Sequence, residues 1–350
     1  MKKILFTLTV LAALVSCSKD EIVESQPAQA IGFSNIFIEN STRAAYDGSY
    51  KYNGTTGNLE QFHVYGTVTN ANSETANIFY KQLVELKNDA WVYNPIQYWI
   101  PGNKYNFTAI ADGNIEGATS TTTDNNYNMP ASITVTDASK QKDILLAKSK
   151  QDIVGLAQGN DKVAFTFDHL MSKAKFTVQN SIETDKYTYM VTDVKITDAA
   201  KSATYDIATK GWGTPSEEYV LAFGDVVTAS TESGTVASWA NDAIAPKGGS
   251  KESNFERLLI PTQAGENTTT AVTVSFDCEL FYDGVSISKT DDKTATANVK
   301  LEPGHAYNFK IVLSAPGEPI QFTVTKINDW DYDINGNGTT TNGDDDVKME

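Results

Sequence analysis

Apolar and polar residues alternate through most of the chain, and the alternating segments are separated by clusters of Gly, Asn, Asp and Thr. The clearest segments are Phe62–Val68, Val163–Phe167, Ala174–Val178, Val272–Tyr282, Ala295–Leu301 and Tyr307–Leu313. A period of two residues is typical of strands with one buried face. Only Glu217 to Phe223 has a spacing compatible with one or two helical turns. The pattern therefore predicts an all-β protein built of antiparallel sheets that pack as sandwiches.

One turn-and-strand motif occurs twice. The segment from Pro101 to Ile110 parallels the segment from Pro303 to Val312, with the pattern Pro-Gly-x-x-Tyr-x-Phe in both. Pro-Gly favours a tight turn, and the residues after it alternate as a strand does. The repeat predicts two related sandwiches, although two unrelated hairpins could also share it. A cluster of Gly, Asn and Asp places the break within residues 150–162, which gives an N-terminal sandwich over 44–155 and a C-terminal sandwich over 160–334.

The N-terminus has the pattern of a signal peptide. Two lysines precede an apolar run over residues 4–15, which is too short to span a bilayer and right for secretion. The run ends in Leu14-Val15-Ser16-Cys17, which resembles the site at which a bacterial signal peptide is removed and the cysteine lipidated. The sequence therefore predicts a signal peptide over residues 1–16 and a lipid on Cys17. An ordinary secretory signal with an incidental cysteine is the alternative.

Composition and charge exclude several functions. The 350 residues carry a formal net charge of −16, which repels a phosphate backbone and argues against nucleic-acid binding. The two cysteines are too few for a disulfide scaffold, and no metal-binding or hydrolase motif is present. Cys278 lies on the apolar face of a predicted strand, which favours a buried side chain over a reactive thiol. His169 follows Asp168, but neighbours in a strand point to opposite faces, so a structural role is expected. The sequence predicts no enzyme, no cofactor and no metal site.

A set of motifs in fixed order carries a family resemblance. The motifs are Ser41-Thr42-Arg43-Ala44, Pro101-Gly102-x-x-Tyr105-x-Phe107, Asp143-Ile144-Leu145-Leu146-Ala147, Val163-x-Phe165-x-Phe167-x-His169-Leu170-x-Ser172-Lys173, Pro303-Gly304-x-x-Tyr307-x-Phe309 and Asn328-Asp329-Trp330. In this order the chain resembles the fimbrillins of Bacteroidota, the subunits of type V pili. The resemblance implies two transthyretin-like β-sandwich domains, export to the outer membrane as a lipoprotein, and assembly with other fimbrial subunits into cell-surface fimbriae by strand exchange. Ser18-Lys19-Asp20-Glu21, just after the cysteine, resembles a signal for surface export in the same bacteria.

The resemblance also implies a cleavage site. Fimbrillins are cut after an arginine, and Arg43 is the only arginine in the first 256 residues. A cut between Arg43 and Ala44 would release residues 17–43, which include an alternating segment over 31–38. Loss of that strand would leave an apolar groove with unpaired backbone groups. The alternative is that residues 31–38 stay in place as an ordinary first strand, as in a permanently lipidated anchor subunit.

The C-terminal end is less typical of a pilin. Ile320 to Trp330 is the best candidate for a donated strand, whereas the rest of the chain to Glu350 is almost wholly polar. Residues 335–350 form a predicted acidic tail, preceded by a partial calcium-loop pattern over Asp331 to Gly336. That pattern lacks the acidic residue needed at its twelfth position, so a solvated tail is expected. Stalk, tip and anchor roles all remain open.

A surface glycan-binding lipoprotein is the main alternative function. Exposed aromatic residues serve as stacking platforms for sugars, and Trp91, Trp99, Trp212 and Trp239 are candidates. Trp91 and Trp99 flank a Tyr-Asn-Pro turn and could equally lie in the core.

Overall fold

The structure is a computed structural model of the chain. It describes residues 28–38, 59, 61–111, 118–122, 130–141, 143–157, 159–227, 244–245, 247–253, 256–265, 268–315, 318 and 320–327. Within these ranges no helix is long and apolar enough to cross a membrane.

The described residues form 21 strands in three sheets and one short 3₁₀ turn at Ala138–Lys140, which confirms the all-β prediction. The strands are β1 (Phe33–Ile38), β2 (Gln61–Thr69), β3 (Thr75–Lys87), β4 (Ala90–Val92), β5 (Lys104–Ala111), β6 (Ala118–Thr122), β7 (Pro130–Val135), β8 (Leu145–Ala147), β9 (Lys150–Val154), β10 (Val163–His169), β11 (Ser172–Asn180), β12 (Tyr187–Asp206), β13 (Gly211–Trp212), β14 (Ser216–Gly224), β15 (Val226–Val227), β16 (Ser250–Ser253), β17 (Arg257–Leu259), β18 (Thr270–Tyr282), β19 (Val285–Val299), β20 (Ala306–Leu313) and β21 (Gln321–Ile327).

The first sheet has the order β1-β10-β8-β5-β2-β3-β4, with β9 added beside β5. The β1–β10 pair is parallel and the other pairs are antiparallel. Alternation along β10 places Val163, Phe165 and Phe167 inside, where they join the aromatic residues of β2, β3 and β5 in one buried cluster.

The second and third sheets enclose a separate core. The six-stranded sheet runs β15-β16-β11-β20-β21 with β17 beside β11, and the seven-stranded sheet runs β19-β18-β12-β7-β6 with β13 and β14 beside β12. Their inward faces form a buried cluster that includes Phe176, Phe276 and Phe309. The arrangement is sandwich-like, as the alternation predicts.

A third buried cluster contains residues from the first sheet and from the other two sheets. Leu170, Met171 and Trp212 are among its members. The chain passes from the first sheet to the second at Leu170 and Met171, because β10 belongs to the first sheet and β11 to the second. β7, from the N-terminal half of the chain, pairs with β12. Strands from both sides of the expected break at 150–162 therefore share sheets, and the division into domains at that break stays a prediction.

One local prediction is wrong. Residues 217–223, expected to allow a helical turn, lie in β14, which pairs with β12. Cross-strand pairing satisfies the backbone here, and a short segment gains too little from helical bonds to compete.

The repeated motif adopts the same local structure in both halves. Gly102 and Gly304 both have positive φ, at 83° and 71°. The hydroxyl of Tyr105 accepts a hydrogen bond from the Ile100 N–H at 2.7 Å, and the hydroxyl of Tyr307 accepts one from the Glu302 N–H at 2.7 Å. Each tyrosine thus fastens the turn that precedes its own strand, five residues back. Burial raises the pKa of both hydroxyls, so they stay protonated.

Candidate functional site

Residues 29–38, called here the seam segment, close the open side of the first sheet. On one side β1 pairs with β10, from Phe33 opposite Val163 to Ile38 opposite Phe167. On the other side the Ile31 N–H donates to the Gln97 carbonyl at 2.8 Å, and the Trp99 N–H donates to the Gln29 carbonyl at 2.9 Å. The segment therefore makes backbone bonds to β10 on one side and to the connection between β4 and β5 on the other.

The side chains of the seam segment lie in the core. Ile31, Phe33 and Ile36 are buried. The Phe33 ring lies 5.6 to 5.9 Å from the rings of four residues: Phe62, Phe79, Tyr93 and Phe165. The Tyr93 hydroxyl donates to the Ile31 carbonyl at 2.6 Å. The buried positions keep a period of two at Ile31 and Phe33 and change parity at Ile36, where the register of β1 against β10 shifts by one residue.

The seam segment fills a groove. Aromatic side chains that contact Phe33 form the floor of this groove, and backbone groups that bond to the segment form its two edges. Without the seam segment, the Val163 N–H, which donates to the Gly32 carbonyl at 2.8 Å, would have no partner on that side. The Trp99 N–H would lose its acceptor in the same way. A groove of this kind selects an extended apolar strand, since backbone bonds supply affinity and the floor accommodates alternate side chains.

Comparison with known families decides the assignment. The model of the fimbrillin-like family matches residues 42–330. The chain belongs to the fimbrillin-like family. No curated protein sequence matches this fimbrillin-like chain.

A solved structure shares its fold. A fimbrial protein from Bacteroides vulgatus ATCC 8482 superposes with a TM-score of 0.58 at 18% identity, covering 86% of this chain and 99% of that one. A protein described as a candidate cell adhesion protein from Bacteroides uniformis ATCC 8492 is 16% identical with a TM-score of 0.43, covering 86% of this chain and 99% of that one. At 18% identity the likeness to the Bacteroides vulgatus protein concerns the fold alone.

The site residues predicted from sequence lie outside the described residues of this fimbrillin-like chain. These are the lipidation site Cys17 and the cleavage site formed by Arg43 and Ala44. Ile38, the last residue of β1, precedes Arg43 by five positions in the sequence. Both expected modifications remain predictions.

The structure argues against β21 as a donated strand. Residues 321–327 of the expected donor pair along β20, and Phe322 and Val324 are buried in the core between the second and third sheets. Donating this strand would open the subunit's own core. Residues 328–350, which include the acidic tail and the partial calcium loop, lie outside the described residues.

His169 has a partner that sequence reasoning missed. Its Nδ1 lies 2.5 Å from Oδ2 of Asp143, and both side chains are buried. The pairing of Leu145 with His169 in the β8–β10 ladder brings the two residues together. Asp143 and His169 both occur in the motifs that carry the family resemblance, and this shared occurrence is the one sequence signal that links them. The adjacent carboxylate of Asp168 faces Lys148 instead, as expected for neighbours in a strand.

The candidate aromatic platforms are largely internal. Trp99 and Trp212 are buried. Trp91 packs on Phe62, with ring centroids 5.0 Å apart, and Trp239 lies outside the described residues. Cys278 is buried as predicted, and burial raises the pKa of its thiol.

Three carboxylates approach one another on the seven-stranded sheet, at Asp193, Asp277 and Asp292. The Lys195 ammonium lies 2.6 Å from Asp193 and 3.1 Å from Asp292. The hydrogen bond from Lys195 lowers the pKa of Asp292. The group is an ion-pair network organised around a lysine.

Proposed function

We propose that this chain is a structural subunit of cell-surface fimbriae whose assembly begins when the seam segment is removed by cleavage between Arg43 and Ala44. Family membership indicates a fimbrial role at the cell surface. The proposal of cleavage rests on the seam segment. Its apolar side chains are buried, its backbone is hydrogen-bonded on both sides, and it is followed by Arg43, the only arginine among the first 256 residues.

The physical logic is strand replacement. In the precursor the seam segment occupies the groove and blocks assembly. After cleavage nothing covalent retains it, and its departure exposes aromatic surface together with unpaired backbone groups. A strand from another subunit restores both kinds of contact, so the partner strand is favoured over water.

The N-terminus supplies the membrane attachment. Cys17 carries the lipid and holds the precursor in the outer membrane until the cut separates it from the body. One acyl chain anchors only marginally, so stable attachment requires more than one chain. A subunit that kept its seam segment would serve as a lipidated anchor.

The test is substitution of Arg43. The Arg43→Ala precursor should stay lipidated and monomeric, with residues 31–38 protected from exchange. Arg43→Lys keeps the charge and should behave like Arg43→Ala, because an arginine-specific protease requires the guanidinium. Arg257→Lys, at the other arginine, is the matched control and should still form fibres. Fibres made by Arg43→Ala would show that the seam segment does not gate assembly.

A further inference from the structure

A cavity of about 510 Å³, called here the junction cavity, adjoins all three sheets. It is lined by residues 168–170 at the end of β10, by Tyr205 of β12, by residues 210–212 around β13, by residues 262–265, and by residues 300–305 before β20. Cavities that hold small ligands measure about 300–1,000 Å³. The junction cavity therefore has room for a ligand of that size.

The loop before β20 differs from its copy in the first half at positions that line the cavity. Both copies hold the same turn, since the Gly102 and Gly304 N–H groups each donate to a backbone carbonyl at 2.9 Å. Three lining positions carry Lys, Glu and His in the second copy and neutral side chains in the first. They are Lys300, Glu302 and His305, which align with Tyr98, Ile100 and Asn103. Because the first copy forms its turn without these three side chains, they are available for another role.

Three other lining residues have hydrogen-bond donors that find no acceptor among the described residues. They are the Tyr205 hydroxyl, the Lys210 ammonium and the Gln263 amide, whose oxygen alone is bonded, to Thr214. Burial raises the pKa of Tyr205 to about 12, so its hydroxyl remains a donor at neutral pH. An ammonium together with neutral donors favours an anionic acceptor such as a carboxylate.

Two carboxylates also line the cavity, at Asp168 and Glu302. Each is paired with a lysine, Asp168 with Lys148 at 3.7 Å and Glu302 with Lys300 at 3.3 Å. The pairing reduces their repulsion of an anion, while their oxygens can still accept from a hydroxyl group.

His305 adds a neutral acceptor. Its Nδ1 lies 2.8 Å from the Pro303 carbonyl, which can only accept, so Nδ1 carries the proton. Burial lowers the pKa of the ring, which keeps His305 neutral and leaves Nε2 as an acceptor. The cavity thus offers unsatisfied donors together with acceptors that suit hydroxyl groups.

We propose that the junction cavity binds a sugar acid, a small ring that carries one carboxylate and several hydroxyls. The carboxylate takes the donors of Tyr205 and Lys210, and the hydroxyls donate to the acceptors of Asp168, Glu302 and His305. A simple dicarboxylate would bring no hydroxyls to these acceptors, and a neutral sugar would bring no anion to Lys210. This binding function goes beyond the fimbrial role, and neither requires the other.

Binding to the full chain is measured by saturation-transfer NMR and by calorimetric titration. The probes are D-glucuronate and D-galacturonate, the matching neutral sugars D-glucose and D-galactose, and succinate. At least one uronate should bind with a Kd on the order of 1 mM, as expected for a ligand of that size. The matching neutral sugar and succinate should bind about tenfold more weakly or less, because each lacks one half of the recognised chemistry.

Substitutions locate the site. Lys210→Met removes the ammonium and keeps the length of the side chain, so affinity for the uronate should fall about tenfold while the weak affinity for the neutral sugar stays the same. Tyr205→Phe keeps the ring, removes the hydroxyl and should also weaken uronate binding. Lys104→Met, at an exposed lysine of β5 outside the cavity, is the matched control and should leave all affinities unchanged. Unchanged melting temperatures show that the variants fold.

Each remaining outcome overturns the proposal. Binding of neither uronate, or equal binding of a uronate and its neutral sugar, excludes recognition of a sugar carboxylate. Succinate that binds as tightly as a uronate marks a general carboxylate site. Loss of binding in Lys104→Met, or unchanged binding in Lys210→Met, places the ligand outside the junction cavity. None of these results bears on strand replacement, which Arg43→Ala tests separately.

Discussion

Phe33→Ala in the uncut precursor tests how firmly the seam segment is held. Phe33 is 2% exposed and touches four aromatic rings, so the substitution removes a fully buried ring and leaves a cavity. Such a change costs about 3–5 kcal/mol. Each 1.4 kcal/mol is about tenfold in an equilibrium constant, so the population with an open seam should rise about 10²- to 10⁴-fold.

Hydrogen exchange at single amides measures that population. The Val163 and Trp99 amides donate to seam-segment carbonyls, so they exchange when the segment leaves. Their protection should fall by the factor given above, while the Lys173 amide, bonded to the His305 carbonyl in the second half, should change little. Ser34→Ala, one residue away, is the matched control and should leave all three unchanged. Unchanged exchange at Val163, or equal loss at Lys173, would refute a locally held seam.

Two further predictions concern the repeated turn and the close backbone approach at Gly155. Tyr307→Phe removes the hydroxyl that accepts from the Glu302 N–H and donates to the Lys300 carbonyl at 2.9 Å. The free energy of unfolding, measured by urea titration, should therefore fall by about 1–3 kcal/mol. An unchanged urea midpoint would contradict the role of this hydroxyl in holding the turn. Gly155→Ala should destabilise far more than Gly102→Ala, because a Cβ at Gly155 would lie 2.3 Å from the Ile100 carbonyl oxygen whereas one at Gly102 meets nothing within 4 Å. The cost at Gly102 should be only about 1 kcal/mol, for its positive φ, and melting temperatures that fall equally would contradict this reasoning.

Strand positions were predictable from the sequence because burial on one face enforces a period of two. Along β10 and β11 every second residue is buried, as the alternation indicates. The repeated turn was predictable too, since glycine at positive φ and a tyrosine five residues on are local features. Residues 217–223 were ambiguous because exposed Val220 and buried Leu221 and Phe223 give a pattern too short to distinguish the two periods.

Pairings between distant segments were not predictable from local pattern. The Asp143–His169 contact depends on the register of β8 against β10, and the exchange of strands between halves depends on which sheet β7 and β10 join. The groove shows the same limit. Alternation identified residues 31–38 as a strand, but the bonds from residues 29–31 to Gln97 and Trp99 arise from the closure of the sheet.

The way β1 is held bears on the proposed strand replacement. It pairs with β10 in parallel, and the register slips between Ser34 and Phe37, so two residues of β1 face one residue of β10. Parallel pairs are slightly less stable than antiparallel ones, and a bulge leaves a residue outside the ladder. The seam segment therefore relies on its buried side chains more than on its backbone bonds. An apolar strand that fills the same floor and pairs with β10 without a bulge would gain bonds that the resident strand lacks. In the proposed mechanism, replacement of the seam segment after cleavage would therefore gain backbone pairing, while the aromatic floor would keep the uncut precursor closed.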